Sequence, residues 1–209
     1  MEKINLNEII DFQTALDGEI KYQKEWIEFY DKQEGEAKGK RMITAPDIYR
    51  AGKENSNVCE SLREDFNYRW VATGTTILYN KDSFSGRVIH NFSSIVAKPI
   101  DISVSEIPVY QSQQIKKVVE GKGLAYVQAL FNTKDNANEI ISTLEKISQT
   151  GAEDICFWTP GQDSRKSYSE RPVKFSYIVD RFLVLASYWC GDYGGRSRGV
   201  LLDSATQSK

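Results

Sequence analysis

The segment from Leu124 to Pro160 constrains the fold more than any other, because its hydrophobic period changes twice over a short span. LAYVQALF is apolar on both faces except at Gln128, which predicts a strand covered on two sides. Asn136, followed three residues later by Glu139, has the spacing of a capping box and predicts a helix start. Ile140, Ile141, Leu144 and Ile147 then recur at the helical period and form one apolar stripe. Gly151 falls where a helix ends in a left-handed residue, and ICFW runs into Pro160, which stops a strand. Strand, helix and strand at this length predict a central βαβ unit over 124–160.

On either side of this unit the period is that of hairpins. YRWVATGTTILY (68–79) and GRVIHNFSSIV (86–96) are rich in β-branched and aromatic residues, and the turn formers NKDSFSG separate them. Beyond Pro160, VKFSYIV (173–179) alternates apolar and polar residues, and FLVLASYW (182–189) is apolar on both faces. Asp180-Arg181 between them is a poor hairpin turn, so one bent strand is the alternative there. Helices are predicted over residues 5–34, from Pro46, from Asn57 and over 105–120, on apolar spacing and capping residues. Together these segments predict an α+β fold, with a mixed sheet of about six strands, flanking hairpins and an N-terminal helical segment. The expected organisation is a helical segment and linker (1–40), one α+β domain (41–203) and a short tail (204–209).

Composition narrows the functional classes. The chain of 209 residues carries a formal charge of −2, which gives no global attraction to nucleic acid or an anionic membrane. No apolar run approaches the ~20 residues of a membrane span, and the N-terminus lacks the apolar core of a signal peptide, so a cytoplasmic location is expected. Three widely spaced cysteines, Cys59, Cys156 and Cys190, fit reduced thiols, and with a single histidine they exclude the usual zinc spacings. Phosphate-loop, dinucleotide and serine-hydrolase motifs are absent; no metal or other cofactor is expected. The N-terminal helix is predicted to pack on the domain, with a homodimer or protein-partner contact as its alternative role.

Two segments carry chemistry. GGRSRG sets Arg196 and Arg198 among glycines, where backbone N–H groups and guanidinium forks suit a carboxylate or phosphate. The loop after Pro160 adds Arg165, Lys166 and Arg171; antiparallel pairing of the two following strands would set all five cations at one end of the sheet. This predicts an anion-recognising binding or assembly domain for phosphate, nucleotide or nucleic-acid backbone. One alternative is an enzyme on a phosphorylated or nucleotide substrate, with the arginines stabilising charge and Asp192 or Tyr193 in acid–base roles. A second is a Cys/His enzyme pairing Cys190 with His90.

Overall fold

β-Branched residues dominate VATGTTILY, and that strand lies inside the sheet with a partner on each side, as β-propensity favours. The computed structural model describes residues 10, 15–54, 57–68, 70–92, 95, 97–161, 164–165, 169–178, 180–185 and 195–202. In chain order the helices are α1 (Gln23–Asp31), α2 (Ala45–Glu54), α3 (Asn57–Tyr68), α4 (Ile115–Glu120), α5 (Leu124–Phe131) and α6 (Ala137–Ser148). The strands are β1 (Lys40–Met42), β2 (Val71–Tyr79), β3 (Gly86–His90), β4 (Ile100–Val104), β5 (Gln113–Gln114), β6 (Ile155–Trp158), β7 (Glu170–Ile178), β8 (Arg181–Leu185) and β9 (Gly199–Leu201).

The fold is α+β, with an N-terminal helix. Seven strands form one mixed sheet in the order β4-β3-β2-β7-β8-β6-β5, and β1 pairs with β9 in a separate ribbon. Among the strand pairs of the described residues, β6–β8 alone is parallel. Both predicted hairpins are present, β2–β3 and β7–β8. The second closes tightly: Ile178 pairs with Arg181, and Asp180 takes φ 62°, a left-handed conformation that aspartate tolerates better than most residues. The bent-strand alternative is thereby excluded.

The predicted βαβ unit opens on a helix instead of a strand. Leu124–Phe131 is α5, and the order through 160 is helix, helix, strand. Leucine, alanine and glutamine are strong helix formers, and Asn132 (φ 47°) stops the helix while the Asn132 and Thr133 N–H groups bond back to Ala129 and Gln128. Tyr126, Val127, Leu130 and Phe131 are all buried, so the helix is apolar nearly all round and its period is hidden. α6 follows as expected: the Asn136 side chain accepts from the Asn138 and Glu139 N–H groups, and the Glu139 carboxylate accepts from Asn136 N–H at 2.9 Å. Ile140, Leu144 and Ile147 are fully buried in the main core, together with Phe157, Phe175 and Phe182 of the sheet.

Two other predicted helices are shorter than expected. Within 105–120 only Ile115–Glu120 is helical. Within 5–34, residues 5–9 and 11–14 lie outside the described part; among the described residues Leu16, Asp17 and Gly18 all take positive φ, and the α-helix there is α1. Trp26, Ile27 and Tyr30 of α1 cluster with Met42 and Ala72, and Trp26 Nε1–H donates to the Gly195 carbonyl at 2.6 Å. The apolar side of α1 is therefore taken by its own domain. Among the described residues no helix is long and apolar enough to cross a membrane.

Candidate functional site

The arginines expected to gather at one end of the sheet are divided between its two ends. Arg196 lies beside Val71 at the start of β2, whereas Arg171 is in register with Ile77, six residues along. The register shift between Ala72 and Thr76 makes this interval four residues on β7, from Phe175 to Arg171, so at ~3.3 Å per residue the separation is at least ~13 Å. The β7–β8 hairpin forms as predicted without joining the two groups.

Each described arginine also has structural work inside the protein. Arg165 is 1% exposed; its Nε donates to the Pro160 carbonyl at 3.0 Å and its terminal nitrogens to Ile107 and Pro108 at 2.7 and 3.0 Å. The Tyr79 ring lies 4.5 Å from its guanidinium carbon, a cation–π contact. Arg171 is buried and donates to the carbonyls of Glu170 and Ser164. Arg198 is 2% exposed and donates to Asp65 Oδ2 at 2.7 Å and to the Ser61 carbonyl at 2.9 Å. Arg196 is the most accessible, its side chain 26% exposed, and it meets the other Asp65 oxygen at 3.4 Å. Asp65 on α3 is thus clamped by the chain's last described segment. Lys166 lies outside the described residues.

His90 is not disposed as a catalytic base. It is buried in β3 with both ring nitrogens engaged: Nε2 lies 3.1 Å from the Ala129 carbonyl and Nδ1 3.1 Å from Thr75 Oγ1. A carbonyl only accepts, so Nε2 carries the proton and Nδ1 accepts from the Thr75 hydroxyl, whose oxygen in turn accepts from Ala45 N–H at 2.9 Å. This chain of bonds joins α2, β2, β3 and α5. Burial pushes the His90 pKa down to about 4. Cys59 and Cys156 are buried free thiols; burial raises both, Cys59 to about 11. Cys190, Asp192 and Tyr193 lie outside the described residues. Among the described residues no group of three His, Cys, Asp or Glu side chains could hold a metal ion.

A different region has the form of a binding site. Among the described residues β4 ends the sheet, bonded on one side to β3 alone. A groove of about 380 Å³ runs along its outer side, a volume within the range of ligand pockets. Ile102, Ser103, Val104 and Ser105 all line it, consecutive residues whose side chains alternate between the two sheet faces. The groove therefore follows the strand's edge. Its other wall is one face of α5, Ala125, Gln128, Ala129 and Asn132, with Thr133 and Lys134 at the end.

The backbone pattern along this edge follows from the hairpin. Asn80 N–H donates to Ser85 C=O, which sets 85, 87 and 89 of β3 toward β2 and leaves 86, 88 and 90 for β4. In the β3–β4 register these face Val104, Ile102 and Ile100. The N–H and C=O groups of Asp101 and Ser103 accordingly point to the free edge. The sequence reading missed β4, although Ile100, Ile102 and Val104 alternate with Asp101 and Ser103 at the strand period.

No protein-family model, no curated protein and no solved structure matches the chain.

Proposed function

We propose that this protein is a binding module that takes up an extended segment of a partner polypeptide as an added strand on β4. The observation that carries the reading is the open edge of β4, with outward backbone groups at Asp101 and Ser103 and a groove walled by α5. Strand addition draws affinity from main-chain hydrogen bonds and selectivity from the side chains lining the groove. The segment 102–105 offers ~10 Å of edge, enough to pair with about three or four residues.

The test is panning of displayed linear peptides on wild type and on Ser103→Pro. Proline there removes only an outward N–H, a position that edge strands accept. Peptides enriched on wild type and lost on Ser103→Pro are expected; equal enrichment on both, or none on wild type, refutes the reading.

Anion recognition is retained as a second reading in a narrower form, at Arg196. What favours it is that this guanidinium is more exposed than Arg165, Arg171 and Arg198 and makes the longer of the two Asp65 contacts. Calorimetric titration with nucleotides and short oligonucleotides, wild type beside Arg196→Ala, tests it. Equal heats from the two proteins remove it.

A further inference from the structure

Building on strand addition at β4, we infer that the segment bound there runs antiparallel to β4 and carries an acidic side chain in its C-terminal part, which pairs with Lys134. The direction of α5 supplies the polarity of the groove. Lys122, just before α5, meets Glu106 at 3.2 Å, just past β4. Near the other end, Ala129 bonds to His90, which is paired with Ile100. α5 thus runs antiparallel to β4, and its C-terminal end, with Lys134 beyond it, lies toward Ile100.

An added strand favours the antiparallel arrangement, in which hydrogen bonds run perpendicular to the strands and pairing is slightly more stable. Such a strand enters at Ser105 and leaves at the Ile100 end, so its C-terminal residues approach Lys134. Lys134 is exposed and forms no ion pair among the described residues. The one carboxylate on the edge itself, Asp101, is held by Arg87 at 2.8 Å, which offsets its repulsion of an incoming acid. The rest of the lining is hydroxyl, amide and small apolar groups, which discriminate little by charge.

A side-chain carboxylate is favoured over a free C-terminus because the end of α5 presents backbone carbonyls, which repel a carboxylate brought close to the main chain. A flexible segment is favoured over a second copy of this chain. α5 lies beside β4 and forms the second wall of the groove, and a copy would have to bring its whole sheet and its own α5 against the short edge 102–105.

The experiment uses fluorescent, N-acetylated and C-amidated host peptides of alternating Thr and Val. They carry Glu, Gln or Lys near the C-terminus, or Glu near the N-terminus, and one Glu-free version ends in a free carboxylate. Anisotropy titrations are run on wild type, Lys134→Glu and Ser103→Pro, with sedimentation of each protein and a urea transition to verify that each is folded. Wild type should bind the C-terminal Glu peptide roughly 1.5- to 5-fold more tightly than the Gln form, the scale of an exposed ion pair. Lys134→Glu should prefer the Lys form, and folded Ser103→Pro should bind none.

Equal binding of the Glu and Lys forms by wild type, with Ser103→Pro still inactive, overturns the acidic selection and leaves strand addition standing. Undiminished binding by Ser103→Pro, or no binding of any peptide by wild type, overturns both. A preference for N-terminal Glu overturns the direction, and tighter binding of the free-acid peptide overturns the choice of a side-chain carboxylate. A wild-type dimer that Ser103→Pro makes monomeric assigns the edge to a second copy and overturns the proposal.

Discussion

Replacing Arg198 by alanine separates a structural guanidinium from a ligand-binding one. The side chain is 2% exposed, and its partner Asp65 is 4% exposed on its side chain. Removing Arg198 deletes a 2.7 Å charged hydrogen bond and the 2.9 Å bond to the Ser61 carbonyl. It leaves Asp65 in the interior with Arg196 at 3.4 Å. Losing one partner of a buried ion pair costs about 3–5 kcal/mol, because the remaining charge has neither water nor full compensation. That is a large share of the ~5–15 kcal/mol that holds a typical domain folded, and for a chain of this size it lowers the Tm by about 6–20 °C. Urea unfolding of wild type and Arg198→Ala, with the m-value checked for constancy, measures it. Replacing the pair by Asp65→Leu with Arg198→Met should recover most of the loss, since an apolar pair of similar volume commonly replaces a buried ion pair at little cost. A loss under ~0.5 kcal/mol for Arg198→Ala would refute the reasoning, for that is the range of a solvated surface residue.

Leu144→Ala should destabilise by ~2–5 kcal/mol in the same assay, because Leu144 is fully buried at the centre of the α6 stripe. His90 makes stability depend on pH. Its pKa falls from 6.5 to about 4 on folding, so between those values the unfolded chain binds more protons and stability declines as pH falls, by ~3 kcal/mol in all. The loss begins below pH 6.5 and is complete below 4. The buried Asp47 and the ion-paired Asp135, whose pKa values lie below the usual 3.8, act at lower pH. Urea transitions at pH 7 and pH 4.5 should differ for wild type and much less for His90→Gln; equal slopes in both proteins would show that His90 is not the group responsible.

Local rules carried the sequence reading where one face of an element meets the core and the other does not. α6 was legible because Ile140, Leu144 and Ile147 are buried while Asn138 and Glu139 are exposed, and because its cap is written in two residues. The β2–β3 hairpin was legible from β-branched content and a turn-rich link. α5 was not, because its sequence is apolar at every position but Gln128, on the groove face as well as the buried one, and so shows no helical period and looks like a buried strand. Arginine burial was hidden for another reason: charged residues are seldom buried, and the Asp65 that pairs with Arg198 is 133 positions away in the chain. The groove at β4 was half legible. Its strand signature is present in the sequence, but the free edge exists only because the sheet order leaves β4 last.

Amide hydrogen exchange with and without a panned peptide tests strand addition most directly. Ile100, Ile102 and Val104 already point their N–H groups at β3, whereas those of Asp101 and Ser103 face the groove. Peptide binding should slow exchange at Asp101 and Ser103 and leave the three intervening amides nearly unchanged, an alternating pattern that only an added strand produces. Unchanged exchange at Asp101 and Ser103 under saturating peptide, or protection confined to the region around Arg196, would contradict the account.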